Sequence, residues 1–261
     1  MKQNLCAIIG TGWLGLPLGE MLLIEGNKVF AATRKIDKFQ EIENRGMQPF
    51  LIDFSSPNVK LDLQDDTEKI TDLYFTIPPT SIEDYAQSLL SIAQQFPNLK
   101  KVVFASSTGV YQEIDAWVNE NSDVNEHHPV FKAEQTLRGF LGDKLIVLRL
   151  SGLIGPNRHP AKYFLNKGIL ENGNVPVNLI QLEDVLSAFS IVSDDSIKGE
   201  IFNLSWPEHP SKSDYYSLAA KELYNENIQF SNNGVGKVID GSKIVENTNF
   251  CYNKSIFDWN Y

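Results

Sequence analysis

An α/β fold, a doubly wound parallel sheet with a small C-terminal lobe interleaved into its last elements, is predicted by three features of this sequence. Leu5-Cys6-Ala7-Ile8-Ile9 is an apolar strand that runs into a glycine turn, Gly10-Thr11-Gly12-Trp13-Leu14-Gly15, and then into an apolar-periodic helix. Strand-like runs then alternate with helix-like segments as far as Leu150, the pattern of a parallel sheet covered on both faces. Past that point Gly152, Gly155, Pro156 and Pro160 fall close together and break the rhythm.

The elements follow in order. The first strand, 5–9, and the first helix, 13–25, enclose a turn in which each glycine has a mechanical reason. Gly10 permits the tight turn, Gly12 lets backbone approach a pyrophosphate, and Gly15 lets the helix pack closely. Free N–H groups and the positive dipole end of that helix suit phosphate. This is the dinucleotide fingerprint of a Rossmann sheet. The second strand, 28–33, ends in Arg34-Lys35, about 20 residues past the glycines, where an acidic residue selects NAD and an arginine accommodates the 2′-phosphate of NADP. NADP is therefore the expected cofactor, with NAD the alternative. Arg34 suits a forked contact to phosphate and Lys35 adds a point charge, unless both are solvated residues that open the next helix.

Helix 36–44, strand 47–52, strand 73–77, helix 81–95, strand 101–105, helix 131–141 and strand 144–150 continue the series. Glu83 and Asp84 complement the dipole of helix 81–95. Farther on, 182–192 reads as a helix packed on the sheet, 200–204 as a short strand, and 211–224 as a helix before a polar loop and an irregular tail. The expected organisation is a cofactor-binding domain over 1–155 and a substrate lobe over 156–261, with 182–204 returning to the first.

Size and composition narrow the class. The 261 residues suffice for a large core, and 42% hydrophobic with 21% charged side chains is the balance of a soluble globular chain. Net charge is −10, and no basic run exceeds Lys100-Lys101, so nucleic acid is not an expected partner. Cys6 and Cys251 have no metal-ligand or disulfide-framework spacing, and no metal is expected. No apolar run approaches the roughly 20 residues of a membrane span, and no long apolar stretch precedes the glycine turn. A cytoplasmic location is expected.

The glycine motif, Phe104-Ala105-Ser106-Ser107-Thr108-Gly109-Val110-Tyr111 and Val177-Asn178-Leu179-Ile180-Gln181-Leu182-Glu183-Asp184-Val185 occur in this order. Together they resemble the extended short-chain dehydrogenase/reductases, the NAD(P)-dependent epimerase/dehydratase group. Gly152-Leu153-Ile154-Gly155-Pro156-Asn157-Arg158-His159-Pro160 and Lys237-Val238-Ile239-Asp240-Gly241-Ser242-Lys243 narrow the resemblance to the YeeZ-like NAD(P)-binding proteins. It implies that Asp53 meets the adenine amino group, that Thr76-Ile77-Pro78 passes beside the adenosine ribose and diphosphate, and that Ser107 hydrogen-bonds a substrate oxygen. Each has a structural alternative: Asp53 as a turn cap, the prolines as a strand terminator, and Ser107 as a strand-end group satisfying backbone.

Relatives pair that serine with a Tyr-x-x-x-Lys helix motif some 25 residues on, where this chain reads His127-His128-Pro129-Val130-Phe131-Lys132. Neither the tyrosine nor the spacing is present. Tyr163-Phe164-Leu165-Asn166-Lys167 has the pattern but follows the sixth strand, so it reads as helical composition. The substitutes are His127 or His128, whose ordinary pKa suits proton transfer, Tyr111 close after Ser107, and Lys132. Adjacent histidines before a proline also make an ordinary solvated turn, Tyr111 in relatives mainly packs and lines the substrate, and Lys132 either retains part of the lysine function or lies exposed on its helix. Arg158 and His159 suit an anionic substrate, unless they only hold their loop together, and Asn178 joins them as a candidate substrate contact.

Two functional readings stand. One is an NADP-dependent oxidoreductase or epimerase/dehydratase-like enzyme acting on a small polar carbonyl or sugar-nucleotide substrate. The other is a catalytically silent NAD(P)-binding redox sensor, which the missing tyrosine motivates. A purely structural or assembly role is a third and weaker possibility.

Overall fold

The computed structural model describes residues 4–56, 58–80 and 82–261. Their elements are β1 (Leu5–Ile9), α1 (Gly15–Ile24), β2 (Lys28–Thr33), α2 (Phe39–Asn44), β3 (Gln48–Asp53), β4 (Lys60–Leu61), β5 (Asp72–Phe75), α3 (Tyr85–Gln94) and β6 (Lys101–Ser107). They continue with β7 (Trp117–Val118), α4 (Pro129–Leu141), β8 (Leu145–Leu150), β9 (Gly152–Ile154), β10 (Leu179–Gln181), α5 (Leu182–Val192), β11 (Ile201–Leu204), α6 (Lys212–Tyr224), β12 (Val238–Ile239) and α7 (Ser242–Asn247).

An eight-stranded sheet has the order β11-β8-β6-β5-β1-β2-β3-β4. β1 pairs in parallel with both β2 and β5, β2 with β3, and β5 with β6, while β4 closes against β3 antiparallel. From β1 the chain steps outward through β2 and β3, then returns to the other side of β1 as β5. The strand order therefore reverses between β1 and β5, and in open α/β sheets ligands bind in the crevice at the carboxyl ends of the strands there. Cys6, Ala7, Ile8 and Ile9 are all fully buried, which is why β1 is apolar throughout and does not alternate.

The chain divides into two compact units, one of residues 1–110, 125–148 and 189–201, the other of 111–124, 149–188 and 202–261. In the second, β9 pairs in parallel with β10 and β7 with β12. A cluster of Ile154, Ala161, Val177, Leu179, Tyr215 and Ile256 forms its core.

Several element starts differ from the sequence expectation for local reasons. The first helix starts at Gly15, because residues 10–14 are spent on the turn. The segment from Ile36 opens as a 3-10 turn and becomes helical only at Phe39. Asp84 is the cap of α3, accepting the Gln87 N–H at 3.1 Å, so the helix starts at Tyr85; the expected start, Ser81, lies outside the described residues. α4 starts at Pro129, whose missing N–H costs nothing in a first turn, and the His128 ring caps it. No helix among the described residues is long and apolar enough to cross a membrane.

Candidate functional site

The glycine turn after β1 is held from two sides. Thr11 Oγ1 donates to the Ala32 carbonyl of β2 at 2.8 Å, and Thr76 Oγ1, just past β5, donates to the Gly10 carbonyl at 2.7 Å. Tyr85 on α3 in turn donates to the Ile77 carbonyl at 2.7 Å, fixing the segment after β5. Gly10 sits at φ +117°, where a side chain is strained, and a β-carbon on it would lie 2.7 Å from the Ile77 nitrogen. A β-carbon on Gly15 would lie 1.9 Å from the Gly10 carbonyl oxygen, so α1 packs too closely for any other residue. Gly12 differs: nothing lies within 4 Å of its missing side chain. Its bare backbone faces open space at the entrance to α1, whose first turn holds no acidic residue and whose Leu14 cap makes no side-chain bond. The N–H groups there and the positive dipole end suit a diphosphate.

Gly10, Thr11 and Gly12 line a cavity of 280 Å³ together with Thr76, Ile77 and Pro78 from the other side of the sheet reversal. Arg34 and Lys35 just past β2 and Lys38 in the 3-10 turn that follows line the same cavity, and all three are exposed. Thr33 Oγ1 fixes the bend that presents them by accepting the Lys35 N–H at 3.2 Å. A neighbouring cavity of 390 Å³ shares Arg34 and Phe54 and contains Asp53. The Asp53 carboxylate accepts the Ser55 N–H at 2.8 Å and hydroxyl at 2.9 Å, and these two bonds hold its pKa below the usual carboxylate range. Lys38 and Phe54 escaped the sequence reading. Lys38 follows Arg34 at a helical interval, and Phe54 is an aromatic immediately beyond Asp53; those were the available signals. Trp13 and Leu14 at the end of the turn and Gly15 at the start of α1 do not line either cavity.

Ser107 and His128 come together at the end of β6. The strand alternation turns Ser106 inward to the buried Glu134 of α4 and leaves Ser107 half-buried on the other face. Ser107 Oγ accepts the Gly109 N–H at 3.0 Å. A β-carbon on Gly109 would lie 3.1 Å from Ser107 Oγ and 3.7 Å from His128 Nε2, so both groups face that glycine. His128 Nδ1 accepts the Val130 N–H at 3.3 Å, which assigns the proton of the neutral ring to Nε2. Lys132 donates its backbone N–H to the His128 carbonyl one turn along, its side chain exposed, and His127 is exposed as well.

No protein-family model matches this chain. Protein YeeZ of Escherichia coli strain K12 is 31% identical over 262 residues, covering 94% of this chain and 94% of its own. This chain belongs to the YeeZ family. Solved structures similar to this YeeZ-family fold include the UDP-glucuronic acid 4-epimerase of Bacillus cereus in complex with NAD, with a TM-score of 0.75 and 18% identity over 97% of this chain and 94% of that one. MoeE5 in complex with UDP-glucose and NAD gives 0.73 and 16% over 97% and 94%, and alfalfa vestitone reductase gives 0.72 and 18% over 98% and 94%. The YeeZ-family chain thus shares the Rossmann-type fold of these epimerase and reductase structures.

The remaining candidates of this YeeZ-family protein lie in the second unit. Tyr111 is 2% exposed, and its hydroxyl donates to Asn203 Oδ1 at 2.7 Å and accepts from Arg149 at 2.9 Å. Asn178 bridges backbone, donating to the Lys237 carbonyl and accepting the Ile239 N–H, each at 2.9 Å. Arg158 is exposed on a tight loop in which its backbone exchanges two hydrogen bonds with Gly155, with Asn157 between them at φ +59°. His159 is buried between Tyr215 and Trp259. Its Nδ1 accepts the Ala161 N–H at 3.2 Å, and its Nε2 lies 3.0 Å from the Tyr215 hydroxyl, which itself donates to the Ile256 carbonyl. Both ring nitrogens are committed to packing. Tyr163 is exposed and lies with its neighbours in a 3-10 turn, Pro160–Phe164, which makes the Tyr-x-x-x-Lys pattern there a compositional one. Among the described residues no group of three or more His, Cys, Asp or Glu side chains could hold a metal.

Burial pushes the His159 pKa down from 6.5 to about 4. Below pH 6.5 the unfolded chain takes up a proton that the folded ring refuses, so stability is expected to fall as pH drops toward 4, by about 3 kcal/mol in all. Urea unfolding at pH 7 and pH 4.5 measures this. His159→Gln should remove most of the slope and leave the part due to His209, which burial also lowers.

Proposed function

We propose that this protein is an NADP-dependent oxidoreductase or epimerase-like enzyme acting on a small polar carbonyl or alcohol. The single observation that carries the reading is that Arg34, Lys35 and Lys38 line the same cavity as the bare backbone of Gly12. A diphosphate on that backbone would leave the adenosine 2′-phosphate to the three cations, with Phe54 beside the adenine and Asp53 in the adjoining cavity. The group so held supplies hydride chemistry. Nothing in this arrangement selects NAD, since no acidic side chain lines the 280 Å³ cavity among the described residues.

The chain's own contribution is proton placement. Ser107 Oγ already accepts from Gly109, so its hydroxyl proton is left to donate, and the His128 ring faces the same glycine. A hydroxyl donor beside an imidazole suits a carbonyl oxygen that gains charge as it is reduced. His128 caps α4 and Lys132 lies four residues on, the interval of the Tyr-x-x-x-Lys pair, which supports His128 as the group that stands in for the missing tyrosine.

Two experiments test this reading. Reduction of a panel of small aldehydes, ketones and sugar nucleotides with NADPH is expected to give at least one turnover reaction; no oxidation of NADPH above background across the panel would remove the enzyme reading. On the best substrate, Ser107→Ala and His128→Phe are each expected to lower kcat about 100-fold, the usual scale of one general acid, with NADP affinity unchanged. A sensor without catalysis is favoured instead if no reaction appears and NADP and NADPH bind with different affinities.

A further inference from the structure

A third cavity, of 510 Å³, lies wholly within the second unit. Trp117, Ile239 and Val245 supply its apolar wall, and Ser205 and His209 its polar one. Ser205 is 1% exposed, yet among the described residues its hydroxyl has no hydrogen-bond partner, and neither has His209 Nδ1. Buried polar atoms are almost always paired, so two orphans lining one cavity point to a ligand that pairs them. The surrounding bonds do not relieve either atom. The Ser205 N–H donates to the Tyr252 hydroxyl, which donates to the Gly241 carbonyl, leaving Ser205 Oγ alone. The His209 ring stands edge-on to Trp117 at 5.4 Å and interacts with the Val177 backbone in the sense that favours the protonated ring; with Nδ1 unpartnered, that contact falls to Nε2–H and leaves Nδ1 a bare acceptor.

The charge lining is one-sided. Asp240 and Glu246 contribute carboxylates, and no lysine or arginine lines the cavity among the described residues. A phosphate or carboxylate would meet uncompensated repulsion there, in contrast to the cavity holding Arg34, Lys35 and Lys38. We infer that this cavity binds a small amine with an aromatic or branched apolar body. The three N–H groups of the ammonium donate to one of the carboxylates, to His209 Nδ1 and to Ser205 Oγ, and the body lies on Trp117, Ile239 and Val245. The inference stands apart from the dinucleotide reading, since every residue it uses belongs to the second unit.

Cys251 provides the readout. It lines the cavity and is exposed, whereas Cys6 is fully buried with its thiol pKa raised by that burial, so iodoacetamide should modify Cys251 alone. The full chain is alkylated in the presence of 2-phenylethylamine, 2-phenylethanol or phenylacetate, which share a body and differ in charge. The amine is expected to protect Cys251 at concentrations about tenfold lower than the acid, with the alcohol between. Val245→Trp, which fills the mouth from an exposed position on α7, should abolish protection, and Ser205→Ala should raise the protecting concentration about threefold or more. Equal protection by amine and acid, absence of protection, or protection that survives in Val245→Trp would each overturn the inference. Should Ser205→Ala fail to fold, the Val245 variant and the charge series decide the matter. An NADP titration of the same sample reports on the first cavity separately.

Discussion

Arg34→Ala is expected to lose about tenfold to 100-fold in NADP affinity while NAD affinity stays within twofold. The range follows from the geometry. A guanidinium makes forked, charge-assisted bonds to a phosphate, each stronger than a neutral hydrogen bond, but Arg34 is solvent-exposed and salt weakens it. Lys35 and Lys38 line the same cavity and retain part of the attraction, which caps the loss. Isothermal titration with both dinucleotides at two salt concentrations measures the effect. The wild-type preference for NADP should shrink as salt rises, and in the variant it should nearly vanish. A preference that survives the substitution would remove Arg34 from the 2′-phosphate, and with it the reason for choosing NADP.

A larger contrast is expected between two glycines three positions apart. Gly12→Glu has open space for its side chain and an unexceptional backbone angle, so its melting temperature should stay close to wild type. Its carboxylate would occupy the entrance to α1, where the diphosphate must come, and dinucleotide binding should fall more than about 100-fold through exclusion and like-charge repulsion. Gly15→Ala adds only a methyl group, but that methyl meets the Gly10 carbonyl oxygen at 1.9 Å, and backbone on both sides has to move. The expected cost is about 4 kcal/mol or more, or a fall of roughly 10 °C in melting temperature. Thermal unfolding and titration of the two variants separate the roles: one glycine admits the ligand, the other closes the fold. A stable Gly15→Ala would mean that α1 does not pack on the turn as described.

Much of the first unit was legible in the residues because its signals are local. A fully apolar strand, glycines at a set interval and a basic pair at the end of the next strand need no long-range information, since strand period, turn chemistry and dipole all act within a few residues. Where local reading failed, a neighbour settled the matter. Asp84 was expected to decorate a helix and caps it instead, and His128 begins α4 because its ring accepts the Val130 N–H. Lys38 and Phe54 join the cavity only once the segments after β2 and β3 lie side by side, through the parallel pairing of those strands.

The sequence by itself determined the Rossmann-type sheet, the glycine turn and the placing of cations beside it, because these depend on side chains that are close in the chain. The tertiary structure alone decided which polar groups remain available. Tyr111, Asn178 and His159 have suitable chemistry by residue type, yet each is committed to partners far away in sequence, Asn203, Lys237 and Tyr215. Ser205 and His209 carry no motif, and their unpartnered atoms are visible only after the chain has folded around them. The physical reason is that a polar atom's function depends on what is left of its hydrogen-bonding capacity after folding, and the contacts that use it up are made across the whole chain.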